Sequence, residues 1–159
     1  MDAEAILNAV PFVDYLGIEI VEAADGYAEA RLPLRAEHST NPAGEIAHGG
    51  VTYSLADTVG GAATLSLVES VPPTVDMRID YLAPATDDLR AEGSVVRSGE
   101  STAVVNAEVY DTDDHHVASA RGVYKTDGQG EETPWTAGVE IGPDGVEGHG
   151  PDGDSDADQ

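Results

Sequence analysis

Residues 41–57 read Asn-Pro-Ala-Gly-Glu-Ile-Ala-His-Gly-Gly-Val-Thr-Tyr-Ser-Leu-Ala-Asp and are the segment best suited to carbonyl chemistry. A loop holding Asn41 and Gly44 runs into His48-Gly49-Gly50, and an apolar, small-residue stretch follows that contains one acid, Asp57. Backbone N–H groups at a helix start are unpaired and lie at the positive end of the helix dipole, so they can hold a developing oxyanion. Two glycines there let a substrate carbonyl approach the backbone closely. Asp57 lies eight residues beyond Gly49, about 12 Å along a helix, so it does not touch Gly49 and faces whatever lies beside that helix. An acid on an otherwise apolar surface needs a partner, because burying it unpaired is costly. The plain structural alternatives are a tight turn at Gly49-Gly50 and a hydrogen-bonded core acid or a solvated one at Asp57.

The elements that position these residues follow from hydrophobic periodicity. Ile6, Leu7, Val10 and Val13 recur at helical spacing and predict one short helix over 3–14, ending before Gly17. Residues 17–24 and 27–35 alternate about Asp25-Gly26, a hairpin turn. A polar loop over 36–48 precedes a long helix over 49–69, whose apolar stripe is Val51, Leu55, Val59, Ala62 and Leu65. Strands follow over 74–83, 88–98, 102–111 and 115–126. Gly60-Gly61 and the many alanines weaken or barely support an isolated helix, glycine by about 1 kcal/mol against alanine. They do let a curved sheet approach the helix axis. The pattern predicts an α+β domain, an antiparallel sheet wrapped around one buried central helix.

The chain has 159 residues and a formal charge of −24, with one lysine, Lys125, and six arginines. Such a surface repels phosphate backbones and anionic membranes, which excludes nucleic acid and membrane as partners. Dense carboxylates with almost no lysine point to adaptation to high salt, where counterions screen charges within about 3 Å. There is no cysteine, so neither disulfides nor thiol nucleophiles arise. No apolar run is long enough to span a bilayer and the N-terminus is acidic, so a cytoplasmic location is expected. Residues 128–159 carry nine acids and no Lys or Arg, with few sizeable apolar side chains besides Trp135, Val139, Ile141 and Val146. They are expected to form a solvated, disordered acidic tail behind a domain of residues 1–127. Gly148-His149-Gly150-Pro151-Asp152-Gly153 fits the letters of a dinucleotide fingerprint but has neither the preceding strand nor the following helix. His115 and His116 beside Asp113 and Asp114 read as a turn, since neighbours on a strand point to opposite faces and chelate poorly. No metal or cofactor is expected, and no Gly-x-Ser-x-Gly elbow surrounds Ser54 or Ser66.

His48-Gly49-Gly50 with Leu55-Ala56-Asp57, then Thr74-Val75-Asp76-Met77-Arg78-Ile79-Asp80-Tyr81-Leu82-Ala83-Pro84-Ala85 and Arg97-Ser98-Gly99, resemble the hotdog-fold thioesterases of the phenylacetyl-CoA (PaaI-like) branch. The resemblance spans roughly residues 10 to 126. It implies acyl-CoA thioester hydrolysis in a homodimer or homotetramer whose active sites are shared between subunits. By that resemblance, the Gly49 N–H polarises the thioester carbonyl and Asp57 is the catalytic carboxylate, as general base or nucleophile. Thr74 supplies a hydroxyl from the other subunit that places the water, and Asn41 contacts the carbonyl region. The Asn41-to-His48 offset is one residue longer than the family's. His48 and Gly50 shape the substrate-binding helix start. Arg97 lies by the turn that adjoins the CoA nucleotide, where Glu100 replaces the usual basic residue after the glycine, and it either meets phosphate or pairs with acids such as Glu92 or Glu100.

Two other functions compete. A hotdog acyl-CoA hydratase or dehydratase needs an Asp and His pair at a spacing His48 does not have. A non-catalytic acyl-CoA-binding regulator carries a separate DNA-binding segment.

Overall fold

The computed structural model describes residues 2–68 and 70–127, together with the backbone of Val139–Gly142 and Gly145–Gly148. The single N-terminal helix predicted over 3–14 is two helices, α1 (Ala3–Asn8) and α2 (Pro11–Leu16). Pro11 has no N–H and its ring disfavours a helical residue before it. Val10 is accordingly extended (φ −69°, ψ 123°), and Pro11 opens the second helix. Asp2 caps α1, accepting the Ala5 N–H at 3.0 Å.

Six strands form one antiparallel sheet in the order β1-β2-β4-β5-β6-β3. They are β1 (Glu19–Ala24), β2 (Tyr27–Leu32), β3 (Thr74–Tyr81), β4 (Leu89–Ser98), β5 (Thr102–Asp111) and β6 (His116–Lys125). Asp25 and Gly26 both have positive φ, 51° and 80°, as the two-residue turn between β1 and β2 requires. The long helix α3 (Gly49–Leu65) lies against the sheet and buries Leu55, Ala56, Val59, Ala62, Ala63 and Leu65. The sheet answers with small side chains: Ala28, Ala30, Ala91, Ala107 and Ala118 are all buried. At Gly93 on β4 the two backbones come close, and a Cβ there would lie 2.8 Å from the Val59 carbonyl oxygen. The α+β arrangement with one buried helix is therefore formed through small residues, as their distribution predicts.

The two edges of the sheet differ. On β1, Asn8 of α1 accepts the Ile20 N–H at 2.8 Å and donates to its carbonyl at 3.0 Å, and Glu4 accepts the Ala23 N–H at 3.1 Å. On β3 the outer edge is unpaired among the described residues, and Val75 (61% exposed), Tyr81 (53%) and Leu82 (54%) stand out beside it. β3 runs back along α3, so that Thr74 meets Asp57, the Met77 carbonyl meets Tyr53 and Tyr81 meets Gly49. Within the segment expected to be an acidic tail, β7 (Val139–Gly142) and β8 (Gly145–Gly148) pair as a two-stranded ribbon. Trp135 and the 148–153 motif, apart from the Gly148 backbone, lie outside the described residues. Among the described residues, no helix is long and apolar enough to cross a membrane.

Candidate active site

The loop before α3 is closed on itself. Ser39 and Ala47 form an isolated bridge, and the His38 carbonyl accepts the His48 N–H at 2.7 Å. His48 is thereby held extended (φ −61°, ψ 139°) as the N-cap of α3. Its Nδ1 accepts the Gly50 N–H at 2.9 Å, and its carbonyl accepts the Val51 N–H at 2.9 Å. Among the described residues the Gly49 N–H has no protein acceptor. Capping therefore occupies its neighbours and leaves one donor, at the positive end of a helix of 17 residues. Tyr81 covers this point: its hydroxyl donates to the Gly49 carbonyl at 2.8 Å, and a Cβ at Gly49 would come within 3.1 Å of its ring.

Asp57 is half-buried on α3 and is tightly held. Its Oδ1 accepts from the Thr74 hydroxyl at 2.8 Å and lies 3.2 Å from the Tyr124 hydroxyl, which is also 3.0 Å from the Asp57 carbonyl oxygen. Thr74 and Tyr124 are register partners across β3 and β6, so both hydroxyls arrive from one place. Among the described residues Oδ2 has no donor, which leaves one carboxylate oxygen for a reacting group. Tyr124 is 1% exposed, and burial together with the Asp57 charge pushes its phenol far above the ordinary value, so it remains a donor at any working pH. Tyr53, one helical turn before Asp57, donates to the Met77 carbonyl at 3.3 Å, and its phenol is raised by burial and then by Asp57 and Asp76.

The predicted site residues do not all converge. Thr74, expected from the other subunit, is bonded to Asp57 of its own chain. The Asn41 side-chain oxygen accepts from the Ser39 hydroxyl at 2.8 Å and the Glu45 N–H at 3.2 Å, so it shapes its own loop. Gly50 commits its N–H to His48. Arg97 lies towards the other end of α3. Gly93 abuts Val59, and two residues on Val95 sits by Gly26 and Leu67, so Arg97 is past the helix C-terminus, opposite Gly49. Glu92 is engaged by Arg90, not by Arg97. Arg97 forms no ion pair among the described residues, whereas Arg31, Arg78, Arg90 and Lys125 each have a carboxylate partner.

His115 ends the turn before β6 and His116 opens the strand, and they face different acids, Asp111 at 2.9 Å and Glu108 at 2.6 Å. No group of three or more His, Asp or Glu side chains is placed to hold a metal ion among the described residues. A surface depression of about 360 Å³ lies elsewhere, lined by Arg31, Asp88, Arg90, Asp111 and Asp114 among others. Its acids are already engaged by the Leu34 N–H, by Arg90 and by the 113–115 turn.

A model of the thioesterase superfamily matches residues 44–118, the span from the loop before α3 into β6. A Halobacterium salinarum protein named as an esterase is 33% identical over 78% of this chain and 92% of its own length. The chain belongs to the thioesterase superfamily. The medium/long-chain acyl-CoA thioesterase YigI of Salmonella typhimurium is 28% identical over 76% of this chain and 88% of its own. The E. coli PaaI structure superimposes with a TM-score of 0.70 at 29% identity, covering 77% of this chain and 88% of that one. The fold of this thioesterase-superfamily member is thus the hotdog, and the likeness to the PaaI-like branch is borne out. Sequence reasoning missed Tyr81, Tyr53 and Tyr124 as neighbours of the site. One signal for Tyr124 was present: a glycine at 60, within a helix, leaves a gap that some large side chain must fill.

Proposed function

We propose that this thioesterase-superfamily member hydrolyses acyl-CoA thioesters in a site assembled from two copies of the chain. Its relationship to named acyl-CoA thioesterases supports the substrate class. The observation that carries the mechanism is the pairing of an unoccupied Gly49 N–H with a carboxylate, Asp57, anchored through one oxygen only.

Gly49 and Asp57 of one chain cannot serve one carbonyl. They are about 12 Å apart along the helix. A carbonyl about 1.2 Å long, with a contact of about 3 Å at each end, spans about 7 Å. Each site therefore takes Gly49 from one copy and Asp57 from another. The bare β3 edge, rimmed by Val75, Tyr81 and Leu82, offers the joint. Antiparallel pairing of two β3 strands about a two-fold axis sets the Tyr81–Gly49 end of one chain beside the Thr74–Asp57 end of the other. Thr74 thus stays with Asp57 of its own chain, and the second chain supplies the oxyanion donor. Arg97, which has no carboxylate partner among the described residues, is a cation that could meet a CoA phosphate.

The reaction proceeds as follows. The Gly49 N–H hydrogen-bonds the carbonyl oxygen as it gains charge. Asp57 Oδ2 removes a proton from water as the water oxygen bonds to the carbonyl carbon, or bonds to that carbon itself. The C–S bond then breaks, and the CoA thiolate takes the proton held by Asp57 on the water route, or a proton from solvent on the direct route. Direct attack by Asp57 forms an anhydride that water cleaves in a second step. A single turnover in ¹⁸O-water separates the two routes, because only the second puts label into Asp57. A panel of acyl-CoA substrates in molar KCl, followed by thiol release, tests the activity. Asp57→Asn should lower turnover by at least ~10²-fold with fold retained, and near wild-type turnover would reject the assignment.

A further inference from the structure

Resting on that reading of Asp57, we infer that Tyr124 is the positioning residue that fixes which oxygen of the catalytic carboxylate faces the substrate. Three independent features converge on it. Its hydroxyl lies 3.2 Å from Asp57 Oδ1 and 3.0 Å from the Asp57 carbonyl oxygen. It stands directly across the β3–β6 ladder from Thr74, the second donor to Oδ1. And two glycines make room for it: a methyl group at Gly60 would overlap the Tyr124 hydroxyl, while one at Gly122 would lie 2.7 Å from its ring. Glycine is among the poorest helix formers, and Gly60 is inside α3. Alanine there would favour the helix and evict the phenol, so the helix is built around this contact.

The two acceptors give the single phenol proton two uses. While Asp57 is charged, the proton can serve Oδ1, where a donor to an anion is strongest. Once Asp57 has taken a proton from water, the same O–H can turn to the Asp57 main-chain carbonyl and remain satisfied. The carboxylate is thus held in one rotamer through the proton transfer, and Oδ2 stays on the open side. Tyr124 itself stays protonated and touches neither water nor thioester.

The test compares Tyr124→Phe, Gly60→Ala and Gly61→Ala with wild type and Asp57→Asn in steady-state acyl-CoA hydrolysis, with thermal midpoints read alongside. Tyr124→Phe should lower kcat on the order of tenfold with little change in KM, the loss expected for one hydrogen bond to a charged group. Gly60→Ala should reproduce the kcat loss by displacing the hydroxyl. Gly61→Ala, whose added methyl group would meet Tyr124 only at 3.9 Å, should leave kcat unchanged. An unchanged kcat in Tyr124→Phe, or a loss that falls on KM and not on kcat, overturns the inference, as does equal damage from the two alanine variants. Loss of fold in Tyr124→Phe overturns it too, since the hydroxyl would then serve the fold and not the carboxylate's aim. A wild type that hydrolyses no acyl-CoA, or an Asp57→Asn variant as active as wild type, would instead reject the functional reading beneath it.

Discussion

Thr74 donates its hydroxyl proton to Asp57 Oδ1 of the same chain at 2.8 Å, and it does so from the first residue of the strand that borders the open edge of the sheet. This bond divides the site. The carboxylate and its two hydroxyl partners come as one preassembled unit, and under the proposed two-copy site a second copy brings the oxyanion donor.

Thr74→Ala should therefore lower kcat on the order of tenfold while KM changes little, since it loosens the carboxylate and leaves acyl-chain binding alone. Thr74→Ser keeps the donor and should recover most of the loss. Steady-state kinetics of both variants check this; equal damage from alanine and serine would show that the methyl group, not the hydroxyl, matters.

His38 makes stability depend on pH. It is 3% exposed, its Nδ1 accepts the Arg35 N–H at 3.2 Å, and its Nε2 lies 3.1 Å from the Arg35 guanidinium. Burial, and next the Arg35 charge, hold its pKa below the ordinary 6.5, with Glu37 and the Leu16 carbonyl acting weakly the other way. The folded state resists a proton that the unfolded state accepts. The contribution of neutral His38 is thus present above about pH 6.5 and is lost as pH falls below it. Thermal melts of wild type and His38→Gln should show a gap that narrows between pH 8 and pH 5. Effects of the surface carboxylates are common to both and cancel. A gap that is constant with pH would contradict this account.

Fold and salt are linked through the surface charge. Arg31, Arg78, Arg90 and Lys125 are paired with acids, and those four cannot neutralise a chain of formal charge −24. Lowering KCl from molar to ~0.1 M lengthens the screening distance from about 3 to 10 Å, so carboxylates on neighbouring elements repel. The thermal midpoint should drop on the order of 5–10 °C, and any oligomer should loosen. A chain equally stable and equally assembled in dilute buffer would reject the proposed adaptation to high salt.

Local signals were legible in the sequence where one residue type decides the geometry. Asp25-Gly26 marked the first hairpin because both positions need positive φ. The small residues of α3 announced a sheet lying close on a helix, and Gly93 of β4 against Val59 is one such contact. Pro11 was a local signal passed over, because apolar spacing alone carried the helix through it. What could not be read was the meeting of distant segments. Nothing in the spacing of Asp57, Thr74 and Tyr124 says that register pairing of β3 with β6 brings both hydroxyls to one carboxylate oxygen. Arg97 was placed near the site by resemblance, whereas the run of β4 along α3 carries it to the far end of its own chain.

Subunit mixing tests the two-copy site most directly. Gly49→Pro removes the N–H at the first helical position, which accepts proline, and His48 before it already has the extended backbone proline requires. Gly49→Ala, which keeps the N–H but adds a methyl group near Tyr81, controls for crowding. Gly49→Pro and Asp57→Asn should each be inactive alone, and Gly49→Ala should be more active than Gly49→Pro. After subunit exchange, confirmed by mass, mixing Gly49→Pro with Asp57→Asn should restore activity, because a mixed dimer has one site with both an intact Gly49 and an intact Asp57. Mixing Asp57→Asn with Thr74→Ala should give no more than the Thr74→Ala subunits supply alone, since Thr74 serves the Asp57 of its own chain. Activity absent from the first mixture despite exchange, or rising in the second, would contradict a site that joins Gly49 of one copy to the Asp57–Thr74 unit of another.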